Sequence, residues 1–288
     1  MFAMSSAEQK CRDVAAPGQR SGPRGWQARL DLSFERRADK TILARQRHCG
    51  PLVVQRPFYP EGDVCHVYVV HPPGGMVAGD ELALSAKVAP DSHALLTTPA
   101  AGKFYRSVGP TARLVQEFAV QSGRLEWLPQ ENIFYPQALA EVQTYIRLVG
   151  SAKLLGWEVS CFGLGAQSEA FYSGQLLQTL ELWMDEEPLL CERQRIDWEC
   201  IAARWGLAGN AAVGTLLAYP ALPRDVEVAR EVVLADGMIS STLVDGVMVC
   251  RAMAPHADQL RGAFFSIWST VRPFIMGRQA VAPRVWAT

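Results

Sequence analysis

Short strands of alternating polarity run from Trp26 to about residue 220, and they restrict the folds open to this chain. In the first of them, apolar residues at 26, 28, 30, 32 and 34 alternate with polar ones, which is typical of a half-buried strand. Similar runs follow at close spacing, separated by turns rich in Pro, Gly and Asp. No helical stretch of ten or more residues stands between them, so a doubly wound α/β plan is disfavoured. The sequence predicts a mainly β protein.

The direction of these strands is predicted from their alternation. In ELALSAKV at 81–88 the apolar and polar faces separate cleanly, so we expect antiparallel sheets with one face open to water. The segment TILARQRH at 41–48 is predicted to form a hairpin with the first strand. It carries Arg45, Arg47 and His48, which form either a solvated strand face or a docking patch for an acidic partner.

Helical periodicity is restricted to the last part of the chain. Asp225 predicts the start of a short helix that extends to about Leu234. The segment HADQLRGAFFSIWSTVR is amphipathic and predicts a helix packed on a sheet, ending at Arg272 and Pro273. Its apolar face consists of Leu260, Phe264, Ile267, Trp268 and Val271.

Composition divides the chain into a tail and a folded region. The chain has 288 residues, of which 49% are hydrophobic and 20% charged, enough for a sizeable core. Residues 1–25 are rich in Ala, Ser, Gln, Gly and Pro without a sustained period, so we expect a mobile N-terminal tail. Residues 26–288 are predicted to form a single β-rich domain.

Charge and cysteine usage limit the possible partners and the compartment. A formal net charge of −1 argues against nucleic acid as a partner, because such binders usually carry a basic excess. The seven cysteines are scattered singly and no secretory segment precedes them, which favours the cytoplasm. No apolar run approaches the roughly 18 residues of a membrane helix, so we expect no membrane association.

Motifs for catalysis and nucleotide binding are missing from the sequence. GxxxxGK[ST], GxSxG and HExxH do not occur, so no phosphate loop, nucleophile elbow or zincin helix is predicted. The glycines of HPPGGMVAGD at 71–80 are interpreted as turn residues, because the prolines and flanking strands do not suit a phosphate loop. From these motifs we therefore predict no catalytic residues and no cofactor-binding residues.

Metal ligation is predicted to be transient if it occurs at all. The histidines and cysteines lack CxxC or HxxxH spacings, so a structural zinc site is not expected. His71 and Asp80 bracket a turn where a weak oxygen-plus-imidazole site for Ni²⁺ is feasible, although a histidine bonded to a turn carbonyl is the commoner arrangement. Four glutamates lie in or beside apolar strands, either as separate exposed residues or as a converging set. They are Glu126, Glu131, Glu158 and Glu181.

Four ordered motifs carry a resemblance to a known family. RPFYPEG at 56–62, HPPGG followed by Asp80, TTPAAGKFYRS at 97–107 and LEWLPQE at 125–131 resemble the urease accessory protein family UreD, called UreH in some organisms. The resemblance extends through GWE at 156–158 to the RP at 272–273. It covers nearly the whole chain after the tail.

The resemblance implies a non-enzymatic scaffold with a two-layered, helix-like β-sheet architecture and few α-helices, the clearest near the C-terminus. Its implied partners are the urease apoprotein, the accessory protein UreF and the GTPase UreG. Nickel is implied as an ion in transit and no permanent cofactor is expected. An uncharacterised all-β hydrolase and a metal-storage protein are the alternatives.

The residues expected to matter fall into two sets. The transient nickel route is predicted at His71, Asp80, Glu126 and Glu131. The scaffold and partner motifs are represented by Arg56, Pro57, Phe58, Tyr59, Pro60, Glu61, Pro72, Pro73, Gly74, Gly75, Lys103, Tyr105, Arg106, Trp127 and Gln130.

Overall fold

The computed structural model of the protein describes residues 25–164 and 169–287, so the predicted tail lies outside the described residues except for Gly25. The strands in this part are β1 (Gln27–Arg37), β2 (Lys40–Cys49), β3 (Val53–Val54), β4 (Cys65–Val70), β5 (Glu81–Val88), β6 (His93–Thr97), β7 (Gly102–Phe104), β8 (Ala112–Gln121), β9 (Arg124–Leu128), β10 (Asn132–Phe134), β11 (Ala138–Val149), β12 (Lys153–Leu164), β13 (Glu169–Ala170), β14 (Gly174–Met184), β15 (Glu187–Asp197), β16 (Ala212–Tyr219), β17 (Met238–Val244) and β18 (Val247–Ala254). The helices are α1 (Trp198–Ala202), α2 (Pro223–Arg230), α3 (Ala257–Met276) and a 3₁₀ helix (Arg284–Ala287).

The strands form two sheets, which confirms the predicted mainly β, two-layered architecture. The first sheet has the order β15-β14-β11-β8-β5-β1-β2. The second has the order β17-β18-β16-β12-β9-β6-β4-β3, with β7, β10 and β13 attached beside β12. Few helices accompany them, and the longest is α3 near the C-terminus.

The central strands of both sheets are parallel, whereas the alternation in ELALSAKV had suggested antiparallel neighbours. From β4 onward the chain passes back and forth between the sheets, so that β5, β8, β11 and β14 lie side by side in one and β4, β6, β9 and β12 in the other. The chain therefore winds as a coil through both sheets, and the successive strands that it adds to each sheet run in the same direction. Alternation reports that one face of a strand is buried, and it carries no information on the direction of the neighbour.

Antiparallel pairs are found towards the edges of the sheets. The predicted hairpin of β1 and β2 is confirmed, with a bulge at Ser33 and Phe34. Asp245 and Gly246 connect β17 to β18, and both have positive φ, as a two-residue hairpin turn requires. A short helix, α1, precedes residue 220, where no helix was expected; Asp197 caps it by accepting the Cys200 N–H.

Two apolar cores lie on opposite sides of the second sheet. Between the sheets, residues such as Leu32, Phe118 and Trp127 are buried together. On the other side, α2 and α3 cover the sheet, and the predicted apolar face of α3 is buried as expected. Alternate residues of one strand therefore contribute to different cores.

Helix α3 continues past the end predicted for it at Arg272 and Pro273. It ends at Met276, where Gly277 adopts a left-handed conformation with φ of 72°. Pro273 removes one helical hydrogen bond, but Ile275 and Met276 beyond it are buried in the same core. Burial of this last turn outweighs the local effect of proline.

Membrane spans were searched for among the helices of residues 25–164 and 169–287, and none of these helices combines the length and the apolar composition of a membrane span.

Substitutions at two glycines, Gly214 in β16 and Gly262 in α3, test the contact between α3 and the sheet. A Cβ at Gly214 would lie 2.7 Å from the Phe264 ring and 3.0 Å from the Glu158 carbonyl oxygen, whereas a Cβ at Gly262 would meet no atom within 4 Å. We expect Gly214→Ala to lower the free energy of unfolding by about 1–3 kcal/mol through overpacking. We expect Gly262→Ala, the control, to raise it by about 0.5–1 kcal/mol. Urea unfolding measures both, and equal effects would contradict this packing.

Candidate functional site

A network of charged side chains is buried between the second sheet and α3. Glu126 projects from β9 towards the helix, as the predicted strand pattern of LEWLPQE requires. Arg272 reaches it from α3, and Glu61 comes from the loop before β4. The side chains of Glu126 and Arg272 are fully buried and that of Glu61 is 5% exposed. We call this group, with His66 and His93, the buried ion network.

Arg272 joins the two carboxylates of the buried ion network. Its Nε donates to both oxygens of Glu126 at 3.1 and 3.0 Å, and its Nη2 donates to Glu126 Oε1 at 2.8 Å. Nη1 and Nη2 donate to the two oxygens of Glu61 at 2.8 Å each. Trp268 Nε1 adds a bond of 2.6 Å to Glu126 Oε2. One guanidinium therefore binds Glu126, which is 146 positions from Arg272 in the sequence, and Glu61, which is 211 positions from it.

Two buried histidines complete the buried ion network. His93 Nε2 lies 2.8 Å from Glu126 Oε1, and His66 Nε2 lies 2.7 Å from Glu61 Oε1. Since a carboxylate only accepts hydrogen bonds, each Nε2 carries the proton. The two Nδ1 atoms are buried without a hydrogen-bond partner among the described residues.

The electrostatics of the buried ion network keep its carboxylates ionised. Burial alone would raise the pKa of Glu126, but His93 and Arg272 outweigh it and lower that pKa to about 2. In Glu61, burial is likewise opposed by His66 and Arg272, and its pKa is lowered. The pKa of Arg272 is raised, because its two carboxylates outweigh burial. The network thus holds its charge at neutral pH.

A second buried carboxylate, Glu158, lies on the opposite side of the same sheet, between the two sheets. Its Oε1 accepts a bond of 3.1 Å from Gln116 Nε2 and a bond from the Thr144 hydroxyl. Its Oε2 accepts a bond of 3.0 Å from Gln178 Nε2. No cation balances it within these contacts, and burial raises its pKa. We call Glu158, Gln116, Thr144 and Gln178 the intersheet carboxylate cluster.

A small cavity of about 10 Å³, enough for about one water molecule, adjoins the intersheet carboxylate cluster. It is lined by Glu158, Gln178, Leu180, Glu192, Gln194, Val213, Gly214 and Thr215. Gln178 and Gln194 also line a groove on the first sheet, beside Glu141 and Arg193. Polar side chains thus run from the carboxylate towards the surface. Sequence reasoning had grouped Glu158 with three other glutamates; its glutamine and threonine partners come from different strands and were missed.

The first two residues of the predicted nickel route lie in one turn but take different roles there. Asp80 is buried, and its two carboxylate oxygens accept the backbone N–H groups of Trp26 and Val77 at 2.8 Å each. His71 is half-buried; burial lowers its pKa and the charge of Asp80 acts in the opposite direction. Its carbonyl accepts the Gly74 N–H, which makes a turn of HPPG. Asp80 therefore organises the local backbone.

The other two residues of the predicted route, Glu126 and Glu131, are separated by the end of β9. Glu126 belongs to the buried ion network, whereas Glu131 pairs with Arg261 of α3 at 3.0 Å. Neighbouring Gln130 accepts a bond from the same arginine and donates its backbone N–H to Thr98 Oγ1 at 2.9 Å. Within residues 25–164 and 169–287, no three His, Cys, Asp or Glu side chains converge in a way that would hold a metal ion.

The predicted scaffold motifs contribute mainly ring contacts and turns. In RPFYPEG, Phe58 stacks on Tyr68 with 4.9 Å between ring centroids, and Arg56 lies over the Phe58 ring. Tyr59 contacts Cys65 Sγ at 3.8 Å, and burial raises the pKa of Tyr59 to about 12. Pro57 and Pro60 lie on either side of these rings in the sequence.

The remaining motifs contact one another across the fold. Trp127 packs on Phe118 between the sheets. In the turn at Pro72 and Pro73, Gly74 has positive φ, and a Cβ at Gly75 would lie 2.3 Å from the Tyr105 ring. Tyr105 lies 4.9 Å from Tyr135, while Lys103 and Arg106 lie on either side of it in the sequence.

Comparison with known proteins explains why these motifs occur together. The model of the family described as "UreD urease accessory protein" matches residues 27–287. The chain belongs to the UreD urease accessory protein family. The resemblance carried by the four motifs is thereby confirmed. Two of them, RPFYPEG and LEWLPQE, supply Glu61 and Glu126 to the buried ion network, and the RP pair at 272–273 supplies Arg272.

Several curated relatives are similar over almost the whole chain. The protein named "Urease accessory protein UreD" from Enterobacter sp. (strain 638) is 45% identical over 266 residues, which cover 92% of this chain and 96% of the relative. The protein of the same name from Citrobacter koseri is 43% identical over 267 residues, covering 92% and 93%. That from Klebsiella aerogenes is 41% identical over 267 residues, covering 92% and 98%.

The buried ion network predicts a specific acid sensitivity. Because the pKa of Glu126 is lower in the folded state, its contribution to stability is complete above about pH 4.5 and is lost as the pH falls towards 2. We expect Glu126→Gln to cost about 3–5 kcal/mol at pH 7, since it leaves Arg272 partly uncompensated, and to flatten the stability profile in acid.

Urea unfolding at several pH values measures this prediction. Glu181→Gln is the matched control, because Glu181 lies on the outer face of β14, where it pairs with the exposed Arg193 and accepts the Trp183 Nε1–H, and a glutamine oxygen can still accept from both. It should change stability by less than about 1 kcal/mol. If the Glu126→Gln variant is as stable as the wild-type chain at pH 7, the role assigned to the buried ion network is wrong.

Proposed function

We propose that this chain is a non-catalytic scaffold in urease maturation, acting in the cytoplasm through one β-rich domain at 26–288. In this proposal it binds the urease apoprotein and, with a UreF-like accessory protein and a UreG-like GTPase, supports delivery of Ni²⁺ to the urease active site. The observation that carries the proposal is the family match over residues 27–287, together with relatives named as urease accessory proteins.

The contacts of the motif residues support a scaffold over a hydrolase. Hydrolysis needs an acid, base or nucleophile that is free to act on a substrate. Glu61, Glu126 and Arg272 are instead paired with one another beneath a helix. Their side chains are buried, and both carboxylates are held by several donors. These groups are suited to fixing α3 on the sheet.

Nickel enters the proposal as cargo. An ion in transit needs weak ligation by oxygen or imidazole groups, since a thiolate cluster would retain it. The intersheet carboxylate cluster offers such a group: Glu158 is buried, contacts no cation among the described residues, accepts hydrogen bonds from two amide nitrogens and one hydroxyl, and adjoins a small polar cavity. A divalent cation would compensate its charge. We propose Glu158 as a member of the nickel route.

The residues first predicted for the route differ in how the fold uses them. His71 and Glu131 are partly buried, and Glu131 also pairs with Arg261; both keep their place in the proposal as weak ligands. For Asp80 and Glu126 the observed hydrogen bonds add a structural role. Alanine variants at these two positions are therefore expected to impair folding, in addition to any effect that they have on nickel delivery.

The proposed function is tested by reconstitution with the urease proteins. We expect cells that express urease, the UreF-like protein and the UreG-like protein to yield nickel-loaded urease only when this chain is present. We also expect the chain to co-purify with urease apoprotein. Equal nickel content with and without the chain would contradict the proposal.

Glu158 provides the sharper test of the nickel route. Glu158→Gln removes the charge while keeping the side-chain size, so we expect the chain to fold and bind its partners while the nickel content of co-expressed urease falls several-fold. Glu181→Gln on the outer face of β14 is the control and should leave loading unchanged. Nickel content by elemental analysis, with circular dichroism and pull-down, measures the outcome. Full loading by Glu158→Gln would remove this residue from the route.

A further inference from the structure

The end of the first sheet where its parallel strands begin presents a group of loops side by side. Five strands, β1, β5, β8, β11 and β14, run in the same direction there, so the residues that precede them meet at one edge. These segments are 25–26, 71–80, 98–111, 135–137 and 171–173, and the third includes the short strand β7. None of them takes part in the buried ion network or the intersheet carboxylate cluster.

Large apolar side chains are exposed along this edge. Val108 is 84% exposed, Trp26 61% and Tyr172 60%, and Val77 and Tyr105 are also classed as exposed. Aromatic residues with this exposure are common in protein interfaces and among the residues that contribute most to binding. We call these five residues, with Arg106, the aromatic end surface.

Hydrogen bonds hold two members of the aromatic end surface together. The buried carboxylate of Asp80 accepts the N–H of Trp26 at one oxygen and the N–H of Val77 at the other. The Trp26 carbonyl accepts the Glu81 N–H at the start of β5. The backbone that carries these two exposed side chains is therefore fixed before any partner binds, which reduces the entropy lost on association.

The tyrosines at the other end of the surface are also connected. Tyr105 packs beside Tyr135 with 4.9 Å between ring centroids. The Ser107 N–H donates to the Gln137 carbonyl, and Gln137 Nε2 donates to the Tyr172 hydroxyl at 3.1 Å. The loops before β8, β11 and β14 thus form one continuous surface.

The charge of this edge is basic. Across the five loop segments the sequence has one acidic residue, Asp80, whose carboxylate is buried and engaged. Lys103 and Arg106 supply positive charge at the aromatic end surface, and Arg106 is exposed. A negatively charged surface would complement them, whereas a positively charged one would be repelled.

We propose that the aromatic end surface binds an acidic segment with apolar anchors on one of the partner proteins of urease maturation; this rests on the proposed function. Two other occupants fit the charge less well. Residues 1–24 of this chain contain four basic and two acidic residues, so they share the sign of the surface. A second copy of the chain would oppose like charges across the interface.

Two substitutions test the proposal in the full-length chain carrying a solubility tag. Val108→Asp places a negative charge at the most exposed apolar position, and Tyr172→Ser removes an aromatic anchor. Val233→Asp is the matched control, because Val233 is 80% exposed in the loop after α2. Dissociation constants are measured separately for purified urease apoprotein, the UreF-like protein and the UreG-like protein.

We expect both surface variants to weaken binding of one of these proteins by about tenfold or more, with the control unchanged. Arg106→Gln should reduce the dependence of that binding on salt. If the wild-type chain binds a partner and both variants bind all three proteins as tightly as the wild type does, the proposed role of the aromatic end surface is wrong. The proposed function is unaffected by that result. No binding by the wild-type chain would instead refute the proposed function.

The alternative occupants give distinct results. If deletion of residues 1–24 tightens partner binding and Val108→Asp no longer affects it, the tail occupies the surface and the proposal is wrong. If Val108→Asp converts a dimer of the chain into a monomer without changing partner affinity, a second copy occupies it and the proposal is equally wrong. Light scattering at matched concentrations distinguishes these cases.

Discussion

The ion pairs of Arg272 are the interaction on which the helix-covered side of the protein depends. Glu61 and Glu126 are carried into the interior by segments distant in sequence, and burial of an uncompensated carboxylate is strongly unfavourable. The guanidinium of α3 compensates both and fixes the position of the helix over the second sheet. Apolar contacts alone would tolerate sliding of the helix along the sheet, whereas bidentate pairing selects one position.

The same sheet separates two carboxylates with opposite environments. Glu126 faces the helix, where cation and histidine contacts hold it ionised, and Glu158 faces the space between the sheets, where burial favours its neutral form. The difference follows from strand geometry: neighbouring residues point to opposite faces, and each face has its own core. The two sides of a single layer thus carry one carboxylate that is fixed in an ion network and one that we propose for the nickel route.

Much of the local structure could be predicted from the sequence because it depends on local pattern. The alternation predicted from Trp26 holds from Ala28 to Phe34, whereas Trp26 itself precedes β1 and is exposed. The buried face of α3 and the turn at Asp245 likewise follow from residue periodicity and turn preference. The parallel coil could not be predicted, because direction is decided by how successive strands return to each sheet. The four motifs revealed the family, but the pairing of Glu126 with Arg272 depends on a contact across 146 positions.

The separation of Glu61 from Arg272 has a consequence for the nascent protein. At about 5–20 residues per second, roughly 10–40 s pass on the ribosome between synthesis of these residues, which are 211 positions apart. Until the arginine emerges, both carboxylates lack their cation and the second sheet lacks its covering helix. Each strand of the second sheet therefore exposes the apolar surface that α3 later covers, and exposed surface of this kind is what chaperones that act during translation recognise.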